Sequence, residues 1–100
     1  METGGCVYIL TNKYNKVFYV GVTSDLLSRV YEHLNNVYPT SFSSRYKLYK
    51  LVYYKFYPTI SEAINEEKRI KAGSRASKIG LINGTNPAWN NLIETELSQW

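Results

Sequence analysis

Apolar residues fall into short blocks with two different periods. Cys6-Val7-Tyr8-Ile9-Leu10 is β-branched and aromatic, and Val17-Phe18-Tyr19-Val20-Gly21-Val22 repeats that character after the polar stretch 11–16. Two such runs across a short polar connection predict a β-hairpin. A loop symmetric about the Lys13–Tyr14 bond puts Tyr8 directly opposite Tyr19, with Cβ atoms about 5 Å apart. That pair is either an aromatic contact holding the hairpin together or two phenols aimed at one neighbour.

Thr23 and Ser24 are candidate N-caps for a helix to about Asn36, whose stripe is Leu26, Leu27, Val30, Tyr31 and Leu34. Arg29 and His33, four residues apart, lie together beside that stripe. A Ser-rich loop follows over 38–45, then a third strand over 48–57 that Pro58 ends. Thr59 and Glu62 have the spacing of a capping box, so a helix begins there with Ile60, Ala63, Ile64 and Ile70 inward. Glu67 falls at the centre of that stripe. An ionised carboxylate facing a core costs several kcal/mol unless it is paired or binds a metal, so Glu67 is either a ligand or half of a buried ion pair with Arg29 or Arg75. Gly73-Ser74 breaks the helix, a short one is expected over 75–82, residues 83–87 read as a turn, and a last helix starts at Pro87 with Trp89, Leu92, Ile93 and Leu97 inward.

Composition narrows the chemistry. At 100 residues the chain is expected to form one domain over 1–100, with one core and no large enclosed cofactor cavity. One Cys and one His exclude a four-ligand Cys/His zinc centre, a disulfide framework and an iron–sulfur cluster, and a single Asp excludes a site of clustered aspartates. Cys6 reads as a small buried strand residue. The lone thiol and an N-terminus without a signal-peptide pattern point to the cytoplasm. The early apolar run is far shorter than the roughly 20 residues that span a bilayer, so no membrane segment is expected.

Charge is uneven along the chain. The net charge is +4, yet residues 45–78 carry nine basic and three acidic groups. That field suits a polyanion such as nucleic acid, and it also suits a solvated basic face. Ten tyrosines are the compositional anomaly. Lys47, Lys50 and Lys55 alternate with tyrosines around the third strand, a mixture that can stack on and neutralise a nucleic acid. With Lys71 and Arg75 from the following helices, they are the candidate substrate contacts.

Taken in order, Val7-Tyr8, then Tyr19-Val20-Gly21 eleven residues after Tyr8, then Arg29 and His33 on one helix and Glu67 on another, resemble the GIY-YIG endonuclease family. The run Glu62-Ala63-Ile64-Asn65-Glu66-Glu67-Lys68-Arg69-Ile70-Lys71, followed by Asn86-Pro87-Ala88-Trp89-Asn90, looks like the small stand-alone bacterial subgroup related to the N-terminal nuclease domain of the C protein of excinuclease ABC. The resemblance implies an α/β (α+β) fold, a small central three-stranded antiparallel sheet flanked by helices. It also implies Mg²⁺- or Mn²⁺-dependent hydrolysis of DNA phosphodiesters with one ion held by Glu67. Repair-related or structure-directed nicking of branched, flapped or nicked DNA, by a monomer or weak homodimer, is the expected activity. Carried over by position, Tyr8 and Tyr19 are the motif tyrosines, Arg29 the helix arginine and His33 the residue four later. Asn90 matches an asparagine that some members have after a Pro-x-aromatic run. Two positions depart from the pattern: Cys6-Val7-Tyr8 replaces Gly-Ile-Tyr, and Val22 stands where the repair nucleases usually have Lys. The second departure motivates an alternative, a nucleic-acid-binding module that keeps the fold with little or no catalysis.

The residue types fit the reaction. Phosphodiester hydrolysis needs a deprotonated water, relief of charge on phosphorus and help for the leaving oxygen. Mg²⁺ commonly takes only one or two protein carboxylates, which Glu67 can supply. Arg29 can grip two phosphate oxygens at once. The base is Tyr8, Tyr19 or His33, with Tyr8 acting through His33 as the preferred route. A nearby metal and Arg29 are expected to lower a tyrosine pKa from its usual value of about 10.

Overall fold

Strand β1 (Gly5–Thr11) is buried along its whole length because it is the middle strand of an antiparallel sheet, with β2 (Phe18–Thr23) on one side and β3 (Lys50–Tyr57) on the other. The computed structural model describes residues 4–35 and 46–99, so the Ser-rich loop expected over 38–45 lies outside the described residues. The remaining elements are α1 (Leu26–Leu34), α2 (Ile60–Ala72), α3 (Arg75–Thr85), α4 (Leu92–Thr95) and a 3₁₀ turn (Leu97–Gln99). This is the three-stranded antiparallel sheet with helices that the sequence predicts.

Alternation along β1 feeds two cores. Cys6, Tyr8 and Leu10 point to a layer built from Leu26 and Val30 of α1, Leu48, Leu92 and Leu97. Val7 and Ile9 point to the opposite layer, with Val20, Ala63 and Ile70 of α2, and Ile82 of α3. Gly5 lets α2 sit close, since a Cβ there would stand 2.6 Å from the Cβ of Ala63. A bulge between the Ile9 and Leu10 pairings sends Leu51 to the α1 layer and both Val52 and Tyr53 to the α2 layer.

The hairpin register differs from the symmetric expectation by two residues. Tyr8 pairs with Gly21, and Leu10 pairs with Tyr19. The cause is local to the loop. Asn12 Oδ1 accepts from the Lys16 N–H at 2.8 Å, and Thr11 Oγ1 donates to the Val17 carbonyl at 2.9 Å, so the loop takes backbone groups that a tighter ladder would pair. A shift of two keeps the side-chain parity, and Tyr8 and Tyr19 stay on one face as diagonal neighbours.

Helix ends follow their caps. Thr59 and Glu62 form the expected capping box on α2, whereas α1 is capped by Asp25, not by Thr23 or Ser24. The expected C-terminal helix needs correction. Helix α3 runs through Thr85, and the last helix begins at Leu92, not at Pro87. Trp89 adopts a left-handed backbone (φ 56°), and the Asn86 side chain bonds both the N–H and the carbonyl of Asn90, so no helix passes through this segment.

Candidate active site

Tyr8 lies over Gly21 and is 1% exposed, so its phenol is part of the α1-side core. Its Oη stands 3.2 Å from His33 Nε2 on α1, a hydrogen bond whose direction follows the imidazole tautomer. Tyr19 completes a three-ring cluster. Its ring centroid is 6.2 Å from that of Tyr8 and 5.7 Å from that of His33. Arg29 lies one helical turn before His33, half-buried, with its Nε 3.5 Å from Glu32. The fold therefore gathers Tyr8, Tyr19, His33 and Arg29 on one face of the sheet.

Burial dominates the electrostatics of this cluster. It pushes the Tyr8 phenol well above its usual value, the nearby Tyr19 phenol adds to the rise, and the Arg29 charge offsets only part of it. The expected lowering of this phenol by Arg29 is thus overridden by desolvation. The His33 imidazole moves down, first because burial disfavours its cation and second because Arg29 repels it, with Glu32 opposing. A neutral imidazole beside a protonated phenol is the resting state at neutral pH. The Cys6 thiol, buried and donating to the Val7 carbonyl, is pushed up to about 12 by desolvation and is no nucleophile.

Glu67 belongs to the other layer. It sits in the inward stripe of α2 between Ala63 and Ile70, 9% exposed, on a helix that packs against β1 and β2 from the side opposite Tyr8. The five predicted residues do not converge on one sheet face, and β2, which carries Tyr19, is one of the two edge strands. The ion-pair partner of Glu67 also differs from expectation. It is Lys71, with Nζ 2.6 Å from Oε2, while Arg29 pairs with Glu32 and Arg75 binds the hairpin loop. Among the described residues no three His, Cys, Asp or Glu side chains cluster as a metal cage. A lone, nearly buried carboxylate already holding a cationic partner fits an ion that keeps most of its waters, such as Mg²⁺, and does not fit Zn²⁺. Val22 faces the same layer as Glu67 and adds to its apolar packing.

The predicted substrate contacts separate into several groups. Arg75 donates to the Lys16 carbonyl at 2.8 Å and the Asn15 carbonyl at 3.2 Å, and stacks 4.4 Å from the Phe18 ring. Its donors are committed to the hairpin loop, as is Lys50, whose Nζ donates to Asn15 Oδ1 at 2.9 Å. Lys55 lies exposed over the Tyr57 ring, and Lys71 is held by Glu67. Lys47 is exposed in a left-handed turn before β3. The Asn90 side chain is exposed, and its backbone is what Asn86 holds.

The inward-facing roles of two buried or half-buried asparagines carry no mark in the sequence. Asn86 donates to the Val52 carbonyl at 3.1 Å, and Asn91 accepts from the Leu51 N–H at 3.2 Å, so both tie the C-terminal segment to β3. Four asparagines occur between 83 and 91, and nothing in their spacing tells which of them turn inward. Gly21 is visible as a motif residue, but its use as the floor beneath Tyr8 depends on the register.

Comparison with known proteins bears on this geometry. Residues 4–80 match the model of the GIY-YIG catalytic domain. A UPF0213 protein of Syntrophus aciditrophicus (strain SB) is 33% identical over 76 residues, which cover 76% of this chain and 86% of that protein. The solution NMR structure of a UPF0213 protein from Bacillus halodurans superposes with a TM-score of 0.57 at 25% identity, covering 92% of this chain and 96% of that one.

Proposed function

This chain belongs to the GIY-YIG family, and on that premise we propose that it is an endonuclease that nicks DNA with one Mg²⁺ or Mn²⁺ bound at Glu67. Nucleases of this family act on DNA and are generally dependent on a divalent metal. No helix among the described residues is long and apolar enough to cross a membrane. The observation that carries the reading is the hydrogen bond between the buried Tyr8 phenol and His33, set beside Tyr19 and Arg29 at the edge of the sheet.

The scissile phosphate lies at the open edge of β2, where α1 and α2 reach it from opposite faces. Arg29 takes two of its oxygens, since a guanidinium is always charged and forks onto an oxyanion. The attacking water gives its proton to Tyr19, Tyr19 passes its own to Tyr8, and Tyr8 passes its own to His33 Nε2. Each phenol ends neutral and the imidazole ends protonated. The high pKa of Tyr8 suits this relay, because a phenol that does not ionise can still hand a proton on, and the lowered pKa keeps His33 ready to accept it. Glu67 would hold the metal ion, whose charge would relieve that building up on the phosphate and the leaving oxygen.

Branched, flapped and nicked duplexes incubated with Mg²⁺ or Mn²⁺ test the proposal. Nicking that disappears in Glu67→Ala is the expected result. No cleavage, or cleavage undiminished in that variant, overturns it. Val22 favours a second reading, a nucleic-acid-binding module without useful turnover, because it places an apolar side chain where the repair nucleases have lysine. Salt-sensitive binding without metal-dependent nicking is its signature.

A further inference from the structure

We propose that the tip of the β1–β2 hairpin and the turn before β3 form a second site, which stacks unpaired bases of a single DNA strand. A cleft of about 480 Å³ opens there. Three tyrosines (Tyr14, Tyr46 and Tyr49) and three lysines (Lys13, Lys47 and Lys50) line it, with no acidic side chain among the described residues. Tyr14 is 68% exposed and Tyr46 is 44% exposed, so part of each ring reaches the surface of the cleft.

The cleft is built on both sides. On the hairpin side, Asn15 takes a left-handed turn whose side chain is held by Lys50 and whose carbonyl is held by Arg75, so the loop carrying Lys13 and Tyr14 is anchored. Lys13 Nζ lies 5.7 Å from the centre of the Tyr14 ring. On the other side, Leu48 is fully buried in the core layer that also holds Tyr8, and the left-handed Lys47 turns the chain so that Tyr46 and Tyr49 flank that anchor.

Phenol rings interleaved with ammonium groups match the two chemistries of a nucleic-acid strand, the π-faces of bases and the charge of phosphates. A base paired within a duplex keeps both faces stacked on its neighbours, so ring stacking selects unpaired nucleotides. The position suits a strand that also reaches the sheet edge. Asn12 stands two residues beyond Leu10, the partner of Tyr19, which is about 7 Å along the strand at 3.4 Å per residue. The inference takes its ligand from the DNA reading above but does not depend on cleavage.

The test is metal-free binding, in EDTA, of dye-labelled single-stranded and fully paired DNA of one sequence to the full chain. Tyr14→Ala and Tyr46→Ala are each expected to weaken single-strand binding about five- to tenfold, with duplex affinity within twofold of the parent. Tyr14→Phe retains the parent affinity, because it keeps the ring. Both tyrosines are at the surface, and unchanged thermal melting confirms that the variants fold. Single-strand binding untouched by either alanine variant, or weakened equally with duplex binding, overturns the proposal. So does tenfold tighter binding of the same sequence as RNA, which reassigns the site. Tyr14-dependent binding in a protein that cuts no DNA upholds this site while the nuclease reading fails. Cleavage of DNA without Tyr14-dependent binding removes this site and leaves the nuclease reading standing.

Discussion

A Cβ on Gly21 would stand 2.4 Å from both Cζ and Oη of Tyr8, so the motif tyrosine is seated on a strand residue whose missing side chain leaves room for its ring. Two tyrosines and a glycine eleven to thirteen residues apart are thereby one structural unit. The glycine sets where the Tyr8 phenol lies, and the phenol sets where His33 finds its partner.

Gly21→Ala is expected to unfold at lower urea, by about 1–3 kcal/mol, because the added methyl overpacks a fully buried ring. The strand backbone at Gly21 is not left-handed, so strain in φ is not the cause. In a double-mutant cycle with Tyr8→Leu the two losses sum to more than the double variant shows. Additive losses would mean that the contact is not what costs stability.

His33 is the sole histidine, so its ring protons can be followed by NMR without assignment ambiguity. Its titration midpoint is expected below the ordinary 6.5, and Arg29→Gln is expected to raise it, since the guanidinium is one of the two causes of the depression. The folded chain binds this proton less readily than the unfolded chain. Stability present above about 6.5 is therefore lost as pH falls through the folded midpoint. Cleavage should fall over the same window, because the relay needs a neutral imidazole to accept its proton. A midpoint above 6.5 contradicts the burial argument.

Glu67→Met separates stability from activity. Replacing a nearly buried carboxylate by an apolar side chain of similar length in the stripe of Ala63 and Ile70 is expected to leave stability unchanged or raise it by about 1 kcal/mol, read by urea denaturation. Metal-dependent nicking should disappear in the same protein. A marked loss of stability would show that the pair with Lys71 is structural.

Arg75→Ala probes the loop clamp. Loss of the two hydrogen bonds to the Lys16 and Asn15 carbonyls and of the Phe18 stack is expected to cost about 1 kcal/mol in urea denaturation. If Arg75 contacted phosphate directly, removing it would lower the salt slope of DNA binding by about one. An unchanged slope is the expected outcome.

Much of this molecule is local and therefore legible in the chain. The hairpin strands, the Thr59–Glu62 capping box and the inward stripe that singles out Glu67 each arise from residues within one or two turns of one another. The order Tyr8, Tyr19, Arg29, His33, Glu67 likewise marked the family. Tertiary structure decided what the spacing could not. It set the register two residues from symmetry, because a loop asparagine took the backbone donors, and it placed Glu67 across the sheet from the tyrosines. It also committed Arg75 and Lys50 to the hairpin and turned Asn86 inward. Periodicity determines which face of its own element a side chain occupies. Which neighbour it then meets depends on how separate elements pack, and whether a phenol rises or an imidazole falls in pKa depends on the water that packing removes.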